Sequence, residues 1–287
     1  MKLACADFTW PLLPHERVIE LIRVLEIEGV DLGLFGNRSH IRPEVVREDI
    51  PMWSGILKER LDRAGVELAD FYFQAWTDVQ VMAMNNPDPK QQEDSRALFL
   101  DMLEMARRLE ASGISTLPGI PFEGQEWNDA MSLSSEELQW RVDQAGKHNI
   151  ELSVEGHIGS IVDTPDKLMQ LVDRTPGLKL TLDYGHFTYA GIPDSEVEPL
   201  IEHSRHFHCR GSAEGELQTS FLDNKIDFRR VIERMLEVGY PGYFAIEYVY
   251  MTPFGANRSE NTTETILYRD FARAAIEGRD YTPPEMF

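Results

Sequence analysis

Short apolar runs alternate with longer amphipathic stretches along the whole sequence, and this alternation limits the folds that the chain can adopt. The runs are typical of buried parallel strands, and the stretches, which open on Pro, Ser, Thr or Asp and close on Gly or Asn, are typical of helices. Strands are predicted at 3–7, 30–35, 66–73, 114–117, 151–155, 178–183, 206–210 and 243–247. Helices are predicted at 14–27, 43–64, 91–110, 134–149, 164–173, 194–203, 227–238 and 260–276.

Eight consecutive βα units favour an α/β fold of the (β/α)8 type, a TIM barrel, because parallel strands must be covered on both faces or closed on themselves. One such barrel takes about 250 residues, so the 287 residues are predicted to form a single domain, 1–287. A Rossmann-like open sheet is the alternative. It is disfavoured because no GxGxxG or GxxxxGK(S/T) loop follows any predicted strand.

Charge and composition restrict the partners and the compartment. Lys and Arg number 28 against 49 Asp and Glu, and the resulting net charge of -21 would repel a nucleic-acid backbone. No run approaches the roughly 18 apolar residues of a membrane helix, so no membrane partner is expected. The two isolated cysteines, Cys5 and Cys209, give neither a disulfide framework nor a zinc-finger spacing. A soluble cytoplasmic protein is expected, and homo-oligomerisation is left open.

Four ionisable residues stand at or near the carboxyl ends of the last four predicted strands, and each separation is close to one βα unit. They are Glu155, Asp183, His208 and Glu247. Strand ends of a barrel share one rim, so these side chains are predicted to converge. Three carboxylates in a partly dry pocket repel one another, and a divalent cation relieves that repulsion. Oxygen-rich ligation with one imidazole suits Mn²⁺, the ion we expect, or Mg²⁺, Co²⁺ or Zn²⁺.

Further candidates lie around this predicted metal centre. His186 and His157 each follow a predicted ligand into its loop, and either could reach substrate or be an unrelated loop histidine. Arg210 shares a strand face with His208, so it is predicted to contact a substrate oxygen, with a surface salt bridge as the alternative. Trp10, after the first strand, is predicted to stack on the apolar face of a sugar.

Other residues of these strands are assigned to the interior. His206 has the same parity as His208 but lies deeper along its strand, so we expect it in the core or behind the ligands. Phe71 and Tyr72 are expected to be core residues. Phe35, Phe73 and Trp76 are expected around the mouth of the barrel.

Five short motifs support a resemblance to a known superfamily. They are Val154-Glu155-Gly156-His157, Leu182-Asp183-Tyr184-Gly185-His186, His206-Phe207-His208-Cys209-Arg210, Ile226-Asp227-Phe228 and Ala245-Ile246-Glu247. With these motifs the sequence resembles the xylose-isomerase-like sugar phosphate isomerase/epimerase superfamily, which implies a TIM barrel. The resemblance covers nearly the whole chain and is strongest from about residue 150 to 250.

The ketose 3-epimerases of this superfamily imply roles for the matching positions. The four predicted ligands would hold the metal, and Glu155 and Glu247 would also form the acid/base pair on opposite sides of the reacting carbon. His186 and Arg210 match positions that contact substrate oxygens. The sequence departs from the pattern at Leu34-Phe35, where an acidic residue usually ends strand two, and at Gly211, where Asp is usual. These departures leave the identity of the substrate open.

The predicted activity is that of a metal-dependent isomerase or epimerase. It would act on a small sugar-like substrate, a ketose or related polyol ketone, by removing the proton next to the carbonyl. The alternative is a metal-dependent lyase, resembling inosose or dehydroshikimate dehydratases or enzymes that cleave oxidised C-glycosides. A non-catalytic sugar-binding barrel is a third reading, although it has little need for two opposed glutamates on a metal.

The same superfamily contains an endonuclease for abasic DNA that uses three metals. Such a cluster needs additional histidines at the ends of strands two and three. This sequence has Leu34-Phe35 and Phe71-Tyr72-Phe73 there. Together with the net charge of -21, this disfavours nuclease activity.

Overall fold

The computed structural model describes residues 1–285, so positions 286 and 287 of the predicted domain lie outside the described residues. The strands are β1 Lys2–Ala6, β2 Gly29–Phe35, β3 Glu67–Gln74, β4 Gly113–Thr116, β5 Glu151–Glu155, β6 Lys179–Asp183, β7 Ser204–Cys209, β8 Gly211–Ala213, β9 Glu216–Thr219 and β10 Tyr243–Ile246. All but β8 and β9 form one closed parallel barrel in the order β1-β10-β7-β6-β5-β4-β3-β2. The predicted TIM barrel is thereby confirmed.

Helices cover the outside of this barrel. They are α1 His15–Val24, α2 Pro43–Val46, α3 Ile50–Ala64, α4 Pro89–Arg108, α5 Trp127–Gly146, α6 Pro165–Arg174, α7 Tyr184–Tyr189, α8 Asp194–Val197, α9 Phe228–Val238 and α10 Asn261–Ile276. The amphipathic pattern explains their packing: α9 buries Phe228, Ile232 and Met235 on one face. It ends at Gly239, whose φ of 68° is the left-handed conformation that glycine adopts readily.

Three predicted helices are wrong in their boundaries. The helix predicted from residue 134 begins earlier, at Trp127, and Ser134 lies buried inside it, donating a hydrogen bond of 2.5 Å to the carbonyl oxygen of Pro118. The helix predicted at 43–64 is divided into α2 and α3, because the side chain of Asp49 caps a new helix by accepting from the Met52 amide. The helix predicted at 194–203 is α-helical only in α8 and continues as a 3-10 helix, Glu198–His203.

An antiparallel hairpin, β8 with β9, fills a region that the sequence reads as a loop. It is tied to the segment after β10 by Gln218, whose side-chain amide nitrogen donates to the carbonyl oxygens of Val249, at 3.0 Å, and Ala256, at 2.8 Å. The amide of Val249 donates back to Gln218 Oε1 at 2.8 Å. The hairpin therefore fixes the segment that follows the last barrel strand.

The barrel interior contains a buried polar layer. Arg205 donates to Asp70 Oδ1 at 2.5 Å and to Ser153 Oγ at 2.8 Å. Leu180 pairs with Ser204 but Thr181 pairs with His206, so Arg205 is an extra residue in β7. This bulge lets Arg205 and His206 both face the interior. Across residues 1–285, every helix is too short or too polar to cross a membrane.

Candidate active site and metal centre

The ends of β5, β6, β7 and β10 bring the four predicted ligands together. We call this set the rim cluster: Glu155, Asp183, His208 and Glu247. One ligand atom from each side chain lies within 4.8 Å of those from the other three, and all four residues are buried. The convergence follows from the parallel strands, since each residue lies at or next to the carboxyl end of its strand, on the same rim. A buried cluster of this composition is consistent with a divalent metal ion.

His208 lies at the centre of the rim cluster. Its Nδ1 is 2.7 Å from Glu155 Oε1 and 3.3 Å from Glu247 Oε2. Its Nε2 is 2.7 Å from Asp31 Oδ2 on the opposite side of the ring. Burial acts to lower the pKa of His208, but the charges of Glu247 and Asp31 outweigh burial and raise the pKa well above its ordinary value. Without a bound metal ion, these carboxylates therefore favour the protonated form of the imidazole.

The two glutamates of the cluster occupy different environments. Burial acts to raise the pKa of Glu155, but the hydrogen bond and charge of His208 outweigh it and hold the pKa below its ordinary value. Burial raises the pKa of Glu247 to about 7. Glu247 Oε2 has no hydrogen-bond partner within residues 1–285, although nitrogens of His208 and Arg210 each lie 3.3 Å away. A buried carboxylate oxygen without a hydrogen bond is a suitable ligand for a cation.

Asp183 and Arg210 form an ion pair inside the site. Asp183 Oδ2 pairs with Arg210 Nη2, and Asp183 Oδ1 accepts from the Gly185 amide at 2.7 Å, which caps α7. Burial acts to lower the pKa of Arg210, but the charges of Asp183 and Glu247 outweigh it and raise the pKa. The residue predicted to contact substrate therefore lies against two members of the rim cluster. Its charge offsets part of the excess of carboxylates.

Two predicted histidines lie beside the cluster. His186 Nε2 is 3.3 Å from Arg210 Nη2 and 3.6 Å from Asp183 Oδ2. Burial and the charge of Arg210 lower the pKa of His186 well below its ordinary value, which favours a neutral ring. His157 lies with its ring centroid 6.0 Å from that of His186. Burial likewise lowers the pKa of His157.

Trp10 lines a cavity that none of the other predicted site residues lines. Its Nε1 donates to Thr262 Oγ1 at 3.1 Å. The ring lines a cavity of about 260 Å³ together with Leu12, Tyr250 and Glu260. Its role as a substrate contact stays a prediction.

The sequence assigned no role to two residues that belong to this site. Asp31 is fully buried in β2, and its Oδ2 lies 3.0 Å from His206 Nε2 and 2.7 Å from His208 Nε2. The available signal was a lone charged residue inside an apolar strand. His206 lies behind His208, as predicted.

Tyr72 is the second residue that sequence reasoning missed. It is buried, as expected of a core residue, but its hydroxyl donates to Glu155 Oε2 at 2.5 Å. Burial and the charge of Glu155 raise the pKa of Tyr72 well above its ordinary value, so the hydroxyl stays a donor. No sequence signal distinguishes it from Phe71, which is buried in the core as predicted.

Aromatic rings form a wall beside the cluster. The Phe35 ring centroid lies 5.1 Å from that of Tyr72 and 4.9 Å from that of Phe8. The guanidinium of Arg38 lies 5.8 Å from the Phe35 centroid. Of the aromatics expected at the mouth, Phe35 is on this wall, whereas Phe73 packs in the core against Phe99, with centroids 6.4 Å apart. An apolar wall beside a charged cluster matches a ligand with an apolar face and polar oxygens.

The sequence and the fold define the family. Residues 19–269 match the family described as xylose isomerase-like TIM barrel. This match extends over most of the chain and includes the whole rim cluster. The chain belongs to the xylose isomerase-like TIM barrel family.

Two curated relatives are similar over part of their length. The rhizopine catabolism protein MocC of Rhizobium meliloti is 27% identical in a match covering 43% of this chain and 43% of that protein. The inosose dehydratase of Geobacillus thermodenitrificans (strain NG80-2) is 26% identical in a match covering 44% of this chain and 48% of that protein. The chain thus matches less than half the length of each relative.

A solved structure extends the likeness to the whole barrel. D-psicose 3-epimerase from Clostridium cellulolyticum H10, determined with D-tagatose, superposes with a TM-score of 0.75. The alignment covers 96% of this chain and 99% of that chain at 16% sequence identity. At this identity the likeness shows the fold.

Proposed function

We propose that this chain is a metal-dependent isomerase or epimerase for a ketose or related polyol ketone. The observation that carries the proposal is the rim cluster itself, in which three carboxylates and one imidazole place ligand atoms within 4.8 Å of one another. Two of the carboxylates are glutamates, which can serve as the base and the acid in a reaction that removes and returns a proton. The relatives named for an epimerase and a dehydratase support this class of chemistry.

The residues present are suited to a divalent cation. Glu247 Oε2 is buried without a hydrogen bond among the described residues 1–285, and it lies 3.3 Å from a nitrogen of His208 and 3.3 Å from a nitrogen of Arg210. Glu155, Asp183, His208 and Glu247 would hold the ion. Mn²⁺ is the expected metal, with Mg²⁺, Co²⁺ and Zn²⁺ as alternatives. When bound, such an ion polarises a carbonyl oxygen and acidifies the adjacent C–H.

In this proposal the side chains of the site divide the chemistry among them. One of Glu155 and Glu247 removes the proton from the carbon next to the carbonyl, and the other returns it. Return to the opposite face of the same carbon epimerises the substrate, and return to the neighbouring carbon isomerises it. His186, His157 and Arg210 would contact substrate oxygens, and the aromatic wall of Phe35 would cover an apolar face.

A lyase is the second candidate. It is favoured by the similarity to the inosose dehydratase, although that match covers less than half of either chain. The same proton abstraction followed by loss of a hydroxyl from the next carbon would give dehydration, and a similar elimination would cleave an oxidised C-glycoside. We also propose a cytoplasmic location, since both cysteines are buried as free thiols.

Turnover in D2O tests the proposal. The purified protein is incubated with Mn²⁺ and free ketoses, sugar phosphates or keto-inositols, and products are analysed by mass spectrometry and NMR. We expect metal-dependent turnover with deuterium at the carbon next to the carbonyl, because glutamate protons exchange with solvent. A product without solvent deuterium would contradict the proton-transfer mechanism, and a protein that binds no divalent ion would contradict the metal centre.

Matched variants assign the two glutamates. Glu155→Gln and Glu247→Gln are each expected to lower kcat by at least about a hundredfold, the magnitude of general acid/base catalysis. Bound metal is measured in each variant by elemental analysis. Glu214→Gln, on the exposed hairpin turn, is the control and should keep wild-type kcat. A metal-loaded Glu247→Gln protein with wild-type activity would show that its assigned role is wrong.

A further inference from the structure

We propose that Asp31 is a positioning residue of the metal centre, which fixes His208 so that Nδ1, and not Nε2, is the nitrogen presented to a metal ion. This inference rests on the proposed metal site. Asp31 lies in β2, which is three strands from β7 around the barrel wall. Its carboxylate reaches across the interior, and its Oδ2 lies 2.7 Å from His208 Nε2.

The chemistry of a carboxylate determines the direction of this hydrogen bond. An ionised Asp only accepts hydrogen bonds, so His208 Nε2 must carry the proton that joins it to Asp31. A neutral imidazole has one protonated nitrogen and one with a free lone pair. The nitrogen left for a cation is therefore Nδ1, which faces Glu155 at 2.7 Å and Glu247 at 3.3 Å. A carboxylate partner behind a histidine ligand in this way fixes the ring orientation and raises the basicity of the ligand.

His206 completes the support from behind. Its Nε2 lies 3.0 Å from the same Oδ2 of Asp31, and its ring is nearly perpendicular to that of His208 at 86°. Asp31, His206 and His208 are all buried. The Asp31 carboxylate thus contacts both imidazole rings, and it holds that of His208, which belongs to the rim cluster.

A second metal ion is the competing explanation for this group. One atom from each of Asp31, His206 and His208 lies within 4.8 Å of the others, as in the rim cluster. A cation there would have a single carboxylate, would require both Nε2 atoms to lose their protons, and would share His208 with the first ion. In the hydrogen-bonded arrangement, Asp31 Oδ2 and the two Nε2 atoms pair with one another, and no nitrogen has to lose its proton. The geometry therefore favours a role for Asp31 in holding His208, and disfavours a second metal ion.

Metal affinity tests the inference directly. Asp31→Asn keeps the size of the side chain but removes its charge and replaces one acceptor oxygen with a donor. We expect Mn²⁺ to bind this variant with a Kd about 10- to 100-fold weaker than wild type, as for other second-layer partners of metal ligands. Isothermal titration with Mn²⁺ measures the change. Asp70→Asn is the control, because Asp70 is a buried aspartate of the neighbouring strand that pairs instead with Arg205.

The control separates positioning from general destabilisation. Asp70→Asn should lower the unfolding temperature while keeping the Mn²⁺ Kd within about threefold of wild type. If a folded Asp31→Asn variant bound Mn²⁺ with wild-type affinity, the role of Asp31 would be overturned and the proposed metal site would stand. Wild-type protein that binds no Mn²⁺ would overturn the proposed metal site and the inference with it.

A second measurement needs no variant at position 31. In wild-type protein loaded with diamagnetic Zn²⁺ and labelled with ¹⁵N-histidine, we expect His208 to show a metal-bound Nδ1. Its Nε2 should carry a slowly exchanging proton. The same spectrum would overturn the inference if Nε2 of His208 carried no proton or bound the metal.

Discussion

Hydrogen bonds to the carboxylate oxygens distinguish the two glutamates of the rim cluster, and Glu155 Oε1 lies 2.7 Å from His208 Nδ1. Tyr72 donates to Glu155 Oε2 at 2.5 Å, whereas within residues 1–285 Glu247 Oε2 accepts no hydrogen bond. A hydrogen bond to a carboxylate favours its ionised form, and a buried carboxylate without one favours the acid. The geometry therefore makes Glu155 the more readily ionised member of the pair.

The hydroxyl of Tyr72 can be removed while its aromatic ring is kept. Tyr72→Phe leaves a buried oxygen of Glu155 without its donor, and a hydrogen bond to a charged group contributes about 1.5–3 kcal/mol. We expect kcat to fall by about 10- to 100-fold with metal still bound, measured by steady-state kinetics and elemental analysis. Tyr240→Phe is the control, since the Tyr240 hydroxyl donates to the carbonyl oxygen of Tyr243, the first residue of β10, at 3.0 Å. Unchanged kcat in Tyr72→Phe would mean that Glu155 does not depend on this donor.

The site residues that the sequence predicts are identified by their position within one strand. The residues that it misses are identified only by their contacts with other strands. Glu155 and Asp183 each end an apolar run, so strand position alone places them at the rim. Asp31 and Tyr72 make their contacts across the barrel interior, with His208 and Glu155 respectively. Such contacts depend on how the closed barrel brings opposite strands together, which spacing along the sequence does not specify.

At the scale of elements, the strands were predictable because each is a short buried run between turn signals. The eight predicted barrel strands correspond to β1–β7 and β10, and their ends differ from the predicted ones by at most two residues. The start of α5 was not predictable from local sequence. Residues Ser134 and Glu137 have the pattern of a helix cap, yet Ser134 bonds the Pro118 carbonyl and Glu137 pairs with Arg96 of α4, both in mid-helix. Tertiary partners outweighed the local signal.

Gly113, the first residue of β4, lies against the buried polar layer. Gly113 has no side chain, and a Cβ built there would overlap the guanidinium of Arg205. That guanidinium is held by Asp70 and Ser153 in the buried polar layer. We expect Gly113→Ala to destabilise the fold by about 1–3 kcal/mol through overpacking, measured by urea unfolding.

A second glycine provides the matched control. Gly55 lies inside α3, is exposed, and a Cβ there would meet nothing within 4 Å. Gly55→Ala should therefore stabilise the protein by about 0.5–1 kcal/mol, the ordinary helix preference for alanine. Equal effects of the two substitutions would show that Arg205 moves freely and that the polar layer does not constrain β4.

At the scale of the whole molecule, the protonation of the rim cluster couples metal binding to folding. Both His208 and Glu247 have a raised pKa in the folded protein. A group with a raised folded pKa contributes stability that is present at low pH and lost as the pH rises through that pKa. The lowered pKa values of His186 and His157 act in the opposite direction up to about pH 6.5, so the metal-free protein should lose stability between about pH 7 and pH 8. A bound cation replaces these protons, so it should reverse this trend.

The affinity of the rim cluster for Mn²⁺ should depend on pH. Binding must displace the Nδ1 proton of His208 and, below a pH of about 7, also the proton held by Glu247. Each displaced proton changes the affinity about tenfold per pH unit. As the pH rises, we expect the Kd to fall by about a hundredfold per pH unit below about pH 7, where two protons are displaced. Above about pH 7, where one proton is displaced, it should fall by about tenfold per pH unit. Titrations between about pH 6 and pH 8.5 measure both slopes.

The thermal shift provides an independent check on the same linkage. The rise in Tm caused by saturating Mn²⁺ should be larger at about pH 8 than at about pH 6, because the metal-free protein has lost its proton-dependent stability there while the ion binds more tightly. Asp183→Ala, which lacks one ligand, should show little shift at either pH. A Kd and a thermal shift that are both flat with pH would mean that the cation displaces no protons, so that His208 and Glu247 do not hold it.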